Sequence, residues 1–138
     1  MATTESFPTA GSGGPTGADE WFADDGTKNS GNWSSANSDA IMTDFNSLDM
    51  PAGSTINGIE IIVEGAGKGM ASGIPRAYVY NGAWSDAKDS NFQFVRSDAT
   101  YDPGWAANDN LWGLSWNVTT AKAIQIKMDS SQMVSSYC

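Results

Sequence analysis

Apolar and polar residues alternate in several short stretches of the chain, with the period of two that is typical of β-strands. The clearest case is "TINGIEIIVEG" (55–65). There Ile59, Ile61 and Val63 would point to one side of a strand, and Glu60, Ile62 and Glu64 to the other. We therefore predict a half-buried strand over this stretch.

Four further stretches carry a similar alternation. We predict a strand in 39–48 with Ile41, Phe45 and Thr43 on one face, and a strand in 74–85 with Ala77 and Val79 opposite Arg76, Tyr78 and Tyr80. We also predict strands in 90–97, with Phe92 and Phe94 facing inward, and in 121–128, with Ile126, Met128 and either Ala123 or Ile124 facing the core.

Turn-forming residues separate these stretches. Pro51 and Gly53 favour a turn in "MPAGST" (50–55), and Asn81-Gly82 favours a tight turn after the strand in 74–85. No segment has a sustained helical period. Short strands with frequent turns predict an all-β protein, an antiparallel β-sandwich of the jelly-roll type over 19–138.

The segment 1–18 consists mainly of Gly, Ser, Thr, Pro and Ala, with Glu5 as its one charged residue. Such a composition buries too little apolar surface to offset the entropy lost on ordering. We predict a flexible N-terminal arm in which Phe7 is the candidate point of contact with a partner. A terminus without any role is an equally good interpretation.

Charge and composition narrow the function classes. The chain has 16 acidic and 7 basic residues, a net charge of −9, which disfavours nucleic acid because binding phosphates requires clustered Lys and Arg. It has no His, which removes most hydrolytic triads and most zinc sites. No cofactor or metal is expected, and no enzymatic activity.

Targeting signals and cysteines indicate where the chain is made. The N-terminal residues lack a basic region followed by an apolar one, and no long apolar run occurs, so we expect neither a secretory signal nor a membrane span. The single Cys138 cannot form a disulfide within the chain. These features favour synthesis in a cytoplasm.

The stretch "DNLWGLSWNV" (109–118) concentrates apolar side chains between polar ones. Leu111 and Leu114, with Trp112 or Trp116, would fill the core, and Gly113 would let the backbone bend. Core packing is favoured over ligand binding here.

Other aromatic residues are candidates for contact with a ligand or partner. Trp105 lies in a polar loop beside Tyr101, and Trp84 follows the Asn81-Gly82 turn. Exposed rings beside Asp and Asn could form a sugar-binding platform, although covering the end of a sheet is the favoured interpretation. Two acidic pairs, Asp86 with Asp89 and Asp98 with Asp102, could serve an enzyme acting on carbohydrate, but this is the weakest hypothesis, because Asp is expected in turn-rich stretches in any case.

Three stretches, taken in order, resemble a known family. "PAGSTINGIEIIVEG" is similar to the "P-x-G-A-x-I-x-G-I-E-V" strand of small tail-associated and other virion proteins of bacteriophages, and "IPRAYVYNGAWSDAKD" to their next hairpin. "TYDPGWAANDNLWGLSWNVTTAKAIQIKM" resembles their "Y-G-G-x-x-D-L-W-G-x-x-W" segment and the strand after it. The resemblance covers about residues 39–128. It implies a β-sandwich module of a virion, without catalytic chemistry.

The chain departs from the family pattern in "DSSQMVSSYC" (129–138), where an alternating strand with aromatic residues is expected. A short or absent last strand would leave unpaired backbone groups at a sheet edge. We therefore expect docking to another chain through this edge or through the N-terminal arm, with Phe7 and Cys138 as candidate contacts. The expected partners are the major capsid protein or other virion proteins, and further copies of this chain, with a trimer favoured.

These observations together predict a non-enzymatic structural protein of the bacteriophage virion. The favoured role is a capsid decoration or cement protein, made in the host cytoplasm and located on the virion surface, which stabilises the outer capsid. The alternative is a tail- or fibre-associated module that binds host-surface carbohydrate through Trp105 and its neighbours.

Overall fold

The computed structural model of the chain describes residues 6–13, 30–33, 40–45, 48–67, 75–89, 99–101, 110–130 and 134–137. Within these residues lie nine strands and one short helix. The strands are β1 (Ala10–Gly13), β2 (Ser30–Trp33), β3 (Ala40–Thr43), β4 (Val63–Gly67), β5 (Pro75–Tyr80), β6 (Lys88–Asp89), β7 (Ala99–Tyr101), β8 (Gln125–Ser130) and β9 (Val134–Tyr137), and the helix is α1 (Val118–Lys122).

The strands form two sheets. One has five strands in the order β1-β3-β8-β5-β6, and the other has four in the order β2-β9-β4-β7. All the strand pairs in the described part of the chain are antiparallel. The prediction of an all-β, antiparallel protein is confirmed.

The core lies on one face of the five-stranded sheet. The register places Ala40, Met128 and Ala77 side by side across β3, β8 and β5. Val79 on β5 has no accessible surface, and the burial of such a side chain contributes roughly 1.5–3 kcal/mol. Residues from outside this sheet complete the core: Phe45, Ile61, Trp112 and Ile124, with Leu48, Ile59, Leu114 and Trp116 packed against it.

Strand β5 follows its sequence pattern closely. Ala77 and Val79 are buried, whereas the residues between them are half-buried on the opposite face, as predicted. The predicted turn follows directly, with Gly82 at φ +113°. The Ser85 amide donates to the Val79 carbonyl at 2.8 Å, and the Ser85 hydroxyl accepts from the Val79 amide at 3.1 Å, so the chain returns alongside β5.

The predicted turn at 50–55 is also confirmed. The Ser54 amide donates to the Pro51 carbonyl at 3.1 Å, and Gly53 has φ +83°. A left-handed residue in the third position of a turn is the requirement that favours glycine there.

The prediction for the face of β3 was wrong. Ala40 and Met42 are buried, and Ile41 and Thr43 are only half-buried on the other face. Phe45 is buried as predicted, but it does not share a face with Ile41. Asp44 has φ +58°, which ends the strand and breaks the alternation before Phe45.

The stretch 55–65 is only partly a strand. Its burial alternates as predicted from Ile59 to Ile62, with Ile61 buried and Ile62 exposed. However, regular strand pairing begins only at Val63, in β4. Before it, the Ile59 amide donates to the Asn110 carbonyl at 2.9 Å, a bond to an irregular segment.

The strand predicted over 121–128 begins later than expected, because α1 occupies 118–122. Asn117 caps this helix: its side chain accepts from the Thr120 amide at 2.9 Å, and the Thr120 hydroxyl accepts from the Asn117 amide at 3.0 Å. This local capping box stabilises a helical turn where alternation predicted a strand. Beyond it, Ile124 rather than Ala123 is buried, and Met128 faces the core.

The N-terminal arm predicted for 1–18 contains a strand. Residues Ala10–Gly13 pair with Thr43–Ala40 of β3, and the Thr9 amide donates to the Thr43 carbonyl at 3.2 Å. Composition did not reveal this strand, because backbone hydrogen bonds rather than buried side chains hold it in the sheet.

The last strand is short but present, and the expectation that it leaves an open edge was wrong. β9 lies between two neighbours: Tyr137 pairs with Ser30 of β2 and with Ala66 of β4.

The strand predicted over 90–97 lies outside the described residues.

Candidate functional site

The face of the five-stranded sheet opposite the core carries the candidate site. Alternation along β5 places Arg76, Tyr78 and Tyr80 on this face. The register pairs them with Asp129, Lys127 and Gln125 of β8, respectively. We call these six residues, with Trp84, the outer face.

Arg76 and Asp129 form a bidentate ion pair. The Arg76 Nε donates to Asp129 Oδ1 and Nη2 donates to Oδ2, each at 2.7 Å, and the Tyr78 hydroxyl donates to Oδ2 at 3.2 Å. The side chains of Arg76 and Asp129 are 31% and 8% exposed. The hydrogen bond to Asp129 raises the pKa of Arg76 above its ordinary value, partly opposed by desolvation. The ion pair joins β5 to β8 across the outer face.

Beside this ion pair lies what we call the aromatic patch: Tyr78, Tyr80, Trp84 and Lys127. Trp84 forms a β-bridge with Tyr80, and their ring centroids are 5.1 Å apart with planes tilted by 53°. The turn at 81–83 brings the two rings together, and the side-chain Nδ2 of Asn81 fixes that turn by donating to the Ser115 carbonyl at 2.8 Å.

The ammonium of Lys127 lies between two rings of the patch. Its Nζ is 4.1 Å from the centroid of Tyr78 and 5.0 Å from that of Trp84. Both distances are within the range of cation–π attraction. The side chain is therefore held in place by contacts from β5 and from the turn that follows it.

The tryptophan-rich stretch has a structural role, as predicted. Trp112 is 3% exposed, and its indole Nε1 donates to the Ile59 carbonyl at 3.0 Å. Trp116 is half-buried against the core and donates to the Leu111 carbonyl at 3.0 Å. Lys88 covers the Trp112 ring, with Nζ 4.7 Å from the centroid, and donates to Asn110 Oδ1. These contacts tie the stretch to 59–61 and to β6.

The structure places the predicted contact residues in different parts of the molecule. Trp84 is half-buried in the aromatic patch, and Phe7 is 52% exposed close to β1. Tyr101 belongs to β7, but its side chain is outside the described part. Trp105 and Cys138 also lie outside the described residues.

Sequence reasoning placed Tyr78 and Tyr80 on the face opposite the core, but it did not assign them to a site. The missing information was the pairing of β5 with β8, which brings Lys127 against Tyr78 from 49 positions further along the chain. The alternation in "RAYVY" was the available signal, since it collects two tyrosines and an arginine on one side.

Of the two acidic pairs singled out in the sequence, the structure describes one. Asp86 and Asp89 are both exposed, whereas Asp98 and Asp102 lie outside the described residues. Within the described residues, no group of three or more His, Cys, Asp and Glu is arranged to hold a metal ion. Nor does that part of the chain contain a helix with the length and apolar character needed to cross a membrane.

Comparison of the chain with family models, with curated proteins and with solved structures gives no match.

Proposed function

We propose that this chain is a non-enzymatic structural protein of a bacteriophage virion, a capsid decoration protein that binds the outer capsid and stabilises it. In this proposal the two sheets are the layers of a jelly-roll-like β-sandwich. The partners are the major capsid protein or another virion protein, with further copies of the chain in a trimer. The resemblance of residues 39–128 to small phage virion proteins is one support.

The structural observation that carries the proposal is the N-terminal edge of the five-stranded sheet, formed by Phe7 and β1. β1 is the end strand of its sheet, and within the described part of the chain it pairs with β3 alone. Phe7, three residues before it, is 52% exposed, the side chain of a residue type that is usually buried.

An end strand offers backbone donors and acceptors along one side, which another chain can use to add a strand. An exposed aromatic ring next to such an edge supplies the apolar contact that backbone pairing lacks. The small residues of β1, Ala-Gly-Ser-Gly, leave that edge open to close approach. The open backbone edge of β1 and the exposed Phe7 ring together suit docking to another protein through a broad contact surface.

The test uses particles made without the chain, to which the purified protein is added back. We expect Phe7→Ser to weaken binding to these particles by about tenfold or more, since one exposed anchor often carries over 1 kcal/mol of an interface. Ile62→Ser is the matched control, because Ile62 is a similarly exposed apolar residue at 54% but lies just before β4, in the other sheet.

Quantitative mass spectrometry of purified particles gives a second readout. A decoration protein is present in many copies over the capsid, whereas a tail component is present in a few. Equal binding of the two variants, or absence of the chain from particles, contradicts the proposal.

A second candidate function is a tail- or fibre-associated module that binds host-surface carbohydrate. The aromatic patch favours it, because Tyr80 and Trp84 form a half-buried pair of rings on a sheet face. Ligand sites commonly combine such apolar ring surfaces with a few fixed polar groups. In this candidate Trp84, rather than Trp105, is the residue that contacts the sugar. Binding on a glycan array that is lost in Trp84→Ala would support it.

A further inference from the structure

The aromatic patch holds a positive charge that the described part of the molecule does not neutralise with a carboxylate. Arg76 is paired with Asp129, and Lys88 donates to Asn110. Lys127, by contrast, contacts two rings, and within the described residues it forms no ion pair. Cation–π contacts orient the ammonium but leave its three N–H donors available to an anion.

The charge of the whole chain makes this position distinctive. The net charge is −9, and the described acidic side chains outside the outer face, Asp44, Asp49, Glu60, Asp86 and Asp89, are all exposed. On the outer face Arg76 lies between Asp129 on β8 and Asp89 on β6, whereas Lys127 supplies the positive charge of the aromatic patch itself. The Lys127 ammonium is therefore the group of the aromatic patch that can pair with the negative charge of a ligand.

The rings beside Lys127 indicate what kind of anion fits. Tyr80 and Trp84 lie 5.1 Å apart at the edge of the patch, and flat ring faces of this kind pack against apolar C–H groups. Gln125 is half-buried and pairs with Tyr80 across the strands, which places an amide within the same row. A ring-shaped ligand with C–H faces, hydroxyl groups and a carboxylate matches all three features.

We propose that the aromatic patch binds a carboxylated pyranose, such as a uronic acid residue of an acidic polysaccharide. The carboxylate pairs with the Lys127 ammonium, and the sugar ring packs on Trp84 and Tyr80. This inference rests on the second candidate function, carbohydrate binding, and it names the class of sugar.

The experiment measures binding by isothermal titration calorimetry to oligosaccharides that contain galacturonate, glucuronate or mannuronate. Each is compared with its methyl ester, which keeps the ring and removes the charge. We expect the wild-type protein to bind at least one acid about tenfold more tightly than its ester, as befits a charge-assisted contact. Added salt weakens binding of the acid but not of the ester.

Variants locate the site. Lys127→Gln is expected to remove the preference for the acid while leaving binding of the ester unchanged, because the rings remain. Lys122→Gln is the matched control: it removes one positive charge from an exposed position at the end of α1, which is not part of the patch, and should change nothing. Trp84→Ala should remove binding of both forms. Thermal melting curves show that each variant is folded.

Each other outcome counts against the inference. If acid and ester bind equally well, carbohydrate binding stands and the assignment of an acidic sugar falls. If neither binds, both fall. Equal effects of the Lys127 and Lys122 variants would mean that net charge, rather than the patch, controls binding. A dimer in native mass spectrometry that Trp84→Ala dissociates would mean that a second copy of the chain occupies the patch.

Discussion

Asp129 is the most buried charged residue in the described part of the chain, and Arg76 is its ion-pair partner. We expect Arg76→Met to lower the free energy of unfolding by about 2 kcal/mol, because it leaves a buried carboxylate that has, among the described side chains, only the Tyr78 hydroxyl as a partner. Asp129→Asn should cost less, about 1 kcal/mol, because the Arg76 side chain is 31% exposed and water can solvate it. Urea denaturation of the two variants measures the difference, and the opposite order would contradict this explanation.

The pH dependence of this pair provides a control. The pKa of Arg76 is raised in the folded state, so its contribution to stability is complete below the ordinary pKa and declines only as the pH rises through the raised value. The cost of Arg76→Met should therefore be the same at about pH 7 and at about pH 9, both far below that range. A cost that shrinks between these two values would show that the guanidinium charge is not what stabilises Asp129.

Single residues show where sequence reasoning succeeds. The sequence assigned core packing to Trp112 or Trp116 without choosing between them, and the left-handed backbone of Trp112, at φ +57°, could not be anticipated. That conformation is costly for a bulky residue. Burial of the indole and its hydrogen bond to Ile59 offset the cost, and both depend on a segment about fifty residues earlier in the chain.

At the level of elements, the turn that carries Trp112 depends on glycine. The Leu114 amide donates to the Leu111 carbonyl at 3.0 Å, and both residues between them have positive φ, with Gly113 at +71°. This is the pattern of a type I′ turn. We expect Gly113→Ala to lower the free energy of unfolding by about 1 kcal/mol, although the added methyl group meets no atom within 4 Å.

The matched control for that variant is Gly58→Ala. Gly58 is also exposed, but it is not among the described glycines with positive φ. The same substitution there should be neutral or slightly stabilising, because it reduces the entropy of the unfolded chain. Chemical denaturation compares the two variants, and equal effects would show that backbone strain is not the cause.

Elements whose evidence is local were predicted well, and elements that depend on distant partners were not. β5 and its turn carry alternation and Asn-Gly in one continuous stretch. β1 has neither, and it is a strand only because β3 pairs with it. α1 is the exception: its capping box at Asn117 and Thr120 is local, but a helix of five residues is too short to show a helical period.

For the molecule as a whole, the net charge of −9 acts against compactness. We expect the free energy of unfolding to rise by up to about 1 kcal/mol between about 0.02 M and about 0.2 M NaCl, as salt screens the repulsion among exposed carboxylates. Asp49→Lys, at an exposed position, reduces the net charge to −7 (−9 + 2) and should weaken this response. Urea titrations at both salt concentrations measure it. Stability that falls with salt would indicate that attractive ion pairs dominate instead.

The position of β8 and β9 within the sheets has a consequence for how the protein is made. β8 separates β3 from β5, and β9 separates β2 from β4, although both central strands follow their neighbours in the chain. During translation, β2, β3, β4 and β5 therefore leave the ribosome before the strands that join them. Neither sheet can be completed until residues 125–137 have emerged. Until then β2 has no partner and β3, β4 and β5 are each paired on one side only, so the finished fold forms only late in synthesis.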